Sequence, residues 1–199
     1  RASVPATMAR SGFGTSALGG QWGKQVRCGF QSKDKTTMQE NVLTGKVALI
    51  TGGARRVGAE IARSLHAHGM HLVIHYRSSK DDAHALQVEL EKRRPKSVAL
   101  VKGDLLKVAQ LPGIVEGAAA AFGRLDALVN NASSFYPTPV GAATAEQWDD
   151  LIGTNLKAPF FLAQAAAPHL KKTHGCIVNI ADIHAERPIK HYPIYSAAK

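Results

Sequence analysis

Tyr195 and Lys199 stand four residues apart in a segment that reads as the start of a helix, so their side chains share one face. An ammonium beside a phenol favours the phenolate and lowers its pKa toward working pH, as general acid–base catalysis requires. A Tyr/Lys pair at this spacing also arises by chance in many helices. Asp182 follows the apolar run 176–180 and precedes Tyr195 by thirteen residues. The three residues form a candidate acid–base group.

A second group lies in residues 46–79, KVALITGGARRVGAEIARSLHAHGMHLVIHYRSS. An apolar strand, 47–51, runs into a turn in which Gly52, Gly53 and Gly58 allow a close backbone approach. The helix that follows starts at the turn, so its free N–H groups and positive dipole end point there. In a parallel sheet, the anion most often held this way is a dinucleotide pyrophosphate. The spacing is not G-x-G-x-x-G, because Arg56 stands where a middle glycine would be. Nor is it the NTPase phosphate loop, since Gly58 is not followed by Lys-Ser/Thr. The next strand, 71–75, ends at Tyr76-Arg77-Ser78-Ser79 with no acid to accept from a ribose. Arg77 and the serines suit a 2′-phosphate, which predicts NADPH over NADH; Arg77 as a solvated loop residue is the alternative.

Further candidates sit just past later strands. Asp104 is placed either to accept from an adenine amino group or to cap the next turn. Asn130 and Asn131 can bridge neighbouring strand ends, and the small Ala132 lets a flat ring lie close. Ser133-Ser134-Phe135-Tyr136-Pro137 offers hydroxyls beside aromatic faces, the makings of a pocket for a planar heterocycle; otherwise Phe135 is tucked into the core. Asn155 is a poor helix former within a helix, which suggests that it holds a water or a backbone group near the site. Cys176 reads as an inert core thiol.

The elements that must position these residues alternate between strand and helix, an α/β pattern. In the first helix, Val57, Ile61 and Leu65 form the stripe expected to face the sheet, and Gly69 ends it. Helix 80–94 turns Ala83, Leu86 and Leu90 inward and stops at Pro95. Strand 98–101, helix 111–122 and strand 125–129 follow. Thr144 and Gln147 make a capping box for a helix of up to twenty-six residues that reaches about Leu170, bent near Pro159.

Charge and length bound the rest. The chain has 199 residues, 45% of them hydrophobic, and a net charge of +10. Residues 1–40 carry six Lys/Arg against two acids, and the remainder nineteen against thirteen. The basic residues of the body are dispersed, which suits an anionic cofactor as well as it suits DNA, so no nucleic-acid partner is assigned. No apolar run reaches membrane-spanning length. Cys28 and Cys176 are too few for a disulfide framework or a zinc site, so no metal is expected and a reducing compartment is the default. Residues 1–43 are read as a flexible leader: Gly- and Ser-rich, without apolar periodicity and acid-poor up to Asp34. Cytoplasmic localisation is expected, or organellar if that stretch is a transit segment.

Taken in order, Thr51-Gly52, Arg56 and Gly58, then Asn130-Asn131-Ala132, Asn155 and Tyr195-x-x-x-Lys199 resemble the short-chain dehydrogenase/reductases from about residue 44 to the end. Asp182, where most members carry serine, together with His75-Tyr76-Arg77-Ser78 and the 133–137 segment, is similar to the pteridine reductase branch. The resemblance implies a Rossmann-type, doubly wound parallel sheet over 44–199, C-terminally truncated because the family's domain normally continues through further strands. It also implies that Tyr195 donates a proton with the help of Asp182, and that Lys199 holds the nicotinamide ribose, with Asn155 in the catalytic set. Phe135 would stack on a pterin, and Ser133 would touch both ligands. Arg56, Arg77 and Ser78 would hold the NADPH phosphates and Asp104 the adenine, with Gly52, Val57, Gly58, Tyr76, Leu105, Asn131 and Ala132 completing the cofactor wall. The implied reaction is NADPH-dependent reduction of a pterin, or of dihydrofolate, in a homotetramer built partly on the helix around Asn155. Two rivals remain: a carbonyl or oxoacyl reductase, and an NADPH-binding fragment without turnover, weakly stable and weakly active by itself.

Overall fold

The computed structural model describes residues 42–199. The expected leader lies outside them but for its last two positions, and Cys28 lies outside as well. Five strands, β1 (Val47–Ile50), β2 (His71–Tyr76), β3 (Val98–Lys102), β4 (Ala127–Asn130) and β5 (Cys176–Asn179), form one parallel sheet. Their order is β3-β2-β1-β4-β5. The chain steps outward from β1 to β3, then crosses back to β4 on the other side of β1. This is the doubly wound Rossmann-type arrangement, and its direction reverses between β1 and β4, where such sheets open a ligand crevice at their C-terminal edge.

Both faces of the sheet are covered, so its central strands are apolar throughout rather than alternating with polar residues. Val47 and Leu49 of β1 join the layer formed with α3 (Leu111–Phe122) and α5 (Ala158–Thr173). Ala48 and Ile50 point the other way, into the layer formed with α1 (Arg56–Ala67) and α2 (Lys80–Glu91). Ala83, Leu86 and Leu90 face inward as expected, and each buried leucine contributes about 1.5–3 kcal/mol. Asp126 pins the start of β1: its carboxylate accepts from the Val47 amide at 2.9 Å and from the Arg124 guanidinium at 2.8 and 2.6 Å.

The stripe expected on α1 holds at Ile61 and Leu65, which pack against the core, and is corrected at Val57. Gly58, Ala59, Ala62 and His66 are the buried residues, while Val57 is exposed and Ile61 and Leu65 are only partly buried. Small residues win the inner face because α1 sits so close to the turn before it. A Cβ added at Gly58 would come within 2.5 Å of the Gly52 carbonyl oxygen. Cys176 is a second correction: it is exposed rather than a core thiol. Among the described residues β5 pairs only with β4, and all four of its residues are exposed.

The long helix begins on the expected capping box, Thr144 and Gln147 exchanging bonds of 3.3 and 3.1 Å. It is not continuous. A π-helical turn (Gly153–Lys157) separates α4 (Ala145–Ile152) from α5, just before Pro159, whose ring nitrogen has no proton for the helical ladder. The last element, α6 (Pro193–Ala198), packs Ile194 and Tyr195 against Leu151 of α4.

Candidate active site

The floor of the crevice is a splice between β1 and β4. The Thr51 hydroxyl accepts the Asn131 and Ala132 amides at 3.0 and 3.1 Å and donates to the Val129 carbonyl at 3.3 Å, using its full bonding capacity. Asn131 donates from Nδ2 to the carbonyls of Thr51 and Gly52 at 2.9 and 3.1 Å. Asn130 reaches the other way, its Nδ2 donating at 2.8 Å to Oδ1 of Asn179, its register partner at the end of β5. The two amides therefore bridge strand ends, as their position in the sequence suggested.

The turn after β1 requires Gly52 at a φ of 59°. No side chain fits at Gly58, where an added Cβ would also meet Asn131 Nδ2 at 2.6 Å. Arg56 adopts a φ of 49°, the left-handed region in which glycine is at ease and arginine is strained by about 1 kcal/mol. The backbone here follows a path suited to glycine while carrying a guanidinium.

Around this turn lies a cavity of about 540 Å³. The sheet order arranges its walls. On one half come Asp104 and Leu105 after β3, Tyr76, Arg77 and Ser78 after β2, and Gly52, Arg56, Val57 and Gly58 after β1. On the other half come Asn131, Ala132, Ser133 and Phe135 after β4, Asp182 after β5, and Tyr195 and Lys199 on and beside α6. Every expected site residue except Asn155 lines this one cavity. Asp104 caps the turn that follows it, accepting the Leu106 amide at 3.2 Å, the second of the two alternatives for it. Arg55 lies at the rim, paired with Asp82 at 3.6 Å.

Tyr195 donates its hydroxyl proton to Asp182 Oδ2 at 2.7 Å, and the other carboxylate oxygen accepts the His184 amide at 3.0 Å. Burial, reinforced by the bond to the Asp182 carboxylate, pushes the Tyr195 phenol up to about 12. That bond, with the His184 amide, holds Asp182 below the usual carboxylate range. The expected acidification of Tyr195 by Lys199 is thus reversed. Lys199 lies 5.8 Å from the centre of the phenol ring and donates to the Ile180 carbonyl at 3.1 Å, while burial lowers its own pKa. At neutral pH the Tyr195–Asp182 pair therefore holds one proton, on the phenol oxygen.

Phe135 is 53% exposed in the cavity wall rather than tucked into the core. Its ring stacks on Tyr192 at 4.7 Å and meets Tyr195 edge-on at 4.7 Å. Asn155 stands behind the wall, its Oδ1 accepting from the Ser133 hydroxyl at 2.7 Å. Its Nδ2 donates to the carbonyls of Ser134 and Leu151 at 3.0 and 2.9 Å. It holds a backbone group of the substrate-side loop, one of the two roles expected of it. Tyr192 and Thr154 also stand at the site and were not singled out from the sequence; the position of Tyr192, three residues before Tyr195, was the one available signal.

The residues fit a dinucleotide. The close packing at Gly58 leaves the first turn of α1 open to an anion, and Arg56 and Arg77 supply cations in the same wall. The family model described as short chain dehydrogenase matches residues 46–199. Pteridine reductase 1 of Leishmania tarentolae is 35% identical over 194 residues, covering 78% of this chain and 67% of that protein. An uncharacterized oxidoreductase of Methylorubrum extorquens is 34% identical over 157 residues, covering 79% and 62%. A hydroxynaphthalene reductase-like protein of Metarhizium robertsii is 34% identical over 158 residues, covering 79% and 58%. The chain therefore spans roughly three fifths to two thirds of the length of these relatives. The doubly wound sheet, the glycine turn and the tyrosine–lysine helix, together with a family match over nearly all the described residues, make this chain a member of the short chain dehydrogenase family.

Proposed function

We propose that this protein belongs to an NADPH-dependent reductase of pterins, acting on a dihydropterin and on dihydrofolate. The observation that carries the reading is the 2.7 Å bond between Tyr195 and Asp182 inside the cavity that holds the glycine turn. Reducing a ring C=N adds a hydride to carbon and a proton to nitrogen. The nicotinamide, when bound, supplies the hydride. Tyr195 keeps its proton through neutral pH and delivers it to the ring nitrogen, with the Asp182 carboxylate orienting the phenol and relaying the replacement proton. Lys199, fixed by Ile180, stands ready to bind the nicotinamide ribose. The exposed Phe135 face, braced by Tyr192, offers a flat ring a stacking partner. Arg56, Arg77 and Ser78 hold the phosphates and Asp104 the adenine.

The similarity to pteridine reductase 1 supports the pterin, and the exposed apolar residues Trp148 of α4, Leu156 of the π-helical turn and Phe160 of α5 support a homotetramer. A second reading, a carbonyl reductase, is favoured by the similarity to the hydroxynaphthalene reductase-like protein. A substrate panel followed by NADPH absorbance decides between them. Turnover of dihydrobiopterin and dihydrofolate is expected; turnover of ketones alone removes the pterin assignment.

A further inference from the structure

His75 is 2% exposed, near the end of β2 and next to its apolar run Leu72–Ile74, and both of its ring nitrogens are engaged. The Gly52 amide donates to Nδ1 at 3.3 Å, and Nε2 lies 3.2 Å from the Gly103 carbonyl oxygen. An amide N–H can only donate and a carbonyl can only accept, so the ring is the neutral tautomer with its proton on Nε2. The carbonyl of His75 also accepts the Gly53 amide at 3.1 Å. One residue thus satisfies two successive amides of the glycine turn. Through its ring it ties that turn to the loop after β3, where Asp104 follows Gly103. A valine or leucine in the same place would pack as well but would leave the Gly52 amide without its acceptor.

We infer that His75 is a positioning residue for the dinucleotide, setting the separation between the turn that meets the pyrophosphate and the segment that meets the adenine. The inference rests on the cofactor site proposed above. With the Gly52 and Gly53 amides consumed by His75, the donors left for an anion are those of the first turn of α1, and the clamp fixes where they point. Burial lowers the His75 pKa to about 4, so the ring stays an uncharged acceptor at working pH.

The test is NADPH binding to the chain, followed by nicotinamide fluorescence, in His75→Leu, His75→Asn and the core control Leu86→Ala. His75→Leu is expected to weaken NADPH about tenfold or more, since the Gly52 amide loses its partner. Leu86→Ala is expected to lower the melting temperature with NADPH affinity unchanged. His75→Asn, whose amide can both accept and donate, is expected to restore part of the affinity. Wild-type affinity in His75→Leu, or an equal loss in Leu86→Ala, overturns the inference. A wild-type chain that fails to bind NADPH overturns the cofactor reading itself. Ring nitrogen NMR of the wild-type protein provides an arm independent of variant folding: the Nε2–H tautomer is expected from about pH 5 to 8, and the Nδ1–H tautomer overturns the clamp.

Discussion

Tyr195 and Asp182 meet through a 2.7 Å hydrogen bond at the C-terminal edge of the sheet, one carried by α6 and the other by the loop after β5. The bond leaves the phenol protonated and the carboxylate charged, the state in which the pair can release one proton to substrate. Replacing Tyr195 with Phe removes the only proton of the pair while keeping its ring. Turnover is expected to fall by about 10²–10⁴-fold with little change in NADPH affinity, read by steady-state kinetics beside a binding titration.

Arg77 is the cation nearest in sequence to the β2 end, where a ribose phosphate would be read. Arg77→Asp is expected to shift preference from NADPH to NADH, measured as the ratio of kcat/KM for the two. An unchanged ratio would show that another group reads the phosphate.

Arg56 carries strain for its charge. Arg56→Gly is expected to raise stability by about 1 kcal/mol, because glycine takes a positive φ freely, and to weaken NADPH at the same time. Thermal melts and a binding titration check the two halves separately; a variant both less stable and equally tight would contradict the account.

Acid should unfold the domain through His75. The folded state lowers its pKa from 6.5 to about 4, so between those values the unfolded chain binds the extra proton. Stability is full above pH 6.5 and falls by about 1.4 kcal/mol per pH unit down to pH 4, about 3 kcal/mol in all. His66, also lowered to about 4 by burial, adds a dependence of the same sign over the same range, so chemical denaturation at stepped pH measures their sum and His75→Asn should reduce the slope without abolishing it.

Asn155→Ala removes the brace on Ser133 and Ser134 and leaves the Ser134 carbonyl without its donor. The expected cost is about 1–3 kcal/mol of stability with a drop in turnover. Hydrogen exchange at the 133–137 loop should rise with it.

Much of this was legible along the chain, and the remainder had a common cause. The strands could be read because continuous apolar runs report burial on both faces, and the glycine turn because Gly52 and Gly58 answer local steric demands. The roles of Tyr195 and His75 depend on partners that the fold brings from elsewhere. The spacing of Tyr195 and Lys199 suggested an acidified phenol, yet burial and Asp182 raise it instead. The role of His75 did not show along β2, because Gly52 and Gly103, its partners, lie past different strand ends. The inner face of α1 was misread at Val57 for a related reason: the closeness of the turn at Gly58, rather than apolarity, selects its residues. Cys176 sits in a run that reads as core but, among the described residues, forms part of the sheet's edge.

The most direct measurement is the rate of NADPH oxidation with dihydrobiopterin and with a simple ketone, for the wild-type protein and Asp182→Ser at saturating cofactor. The account predicts that the wild type reduces the dihydropterin and that Asp182→Ser loses that activity by about 100-fold or more with NADPH affinity unchanged. Equal dihydropterin rates in the two proteins, or a wild type that reduces only the ketone, would contradict it.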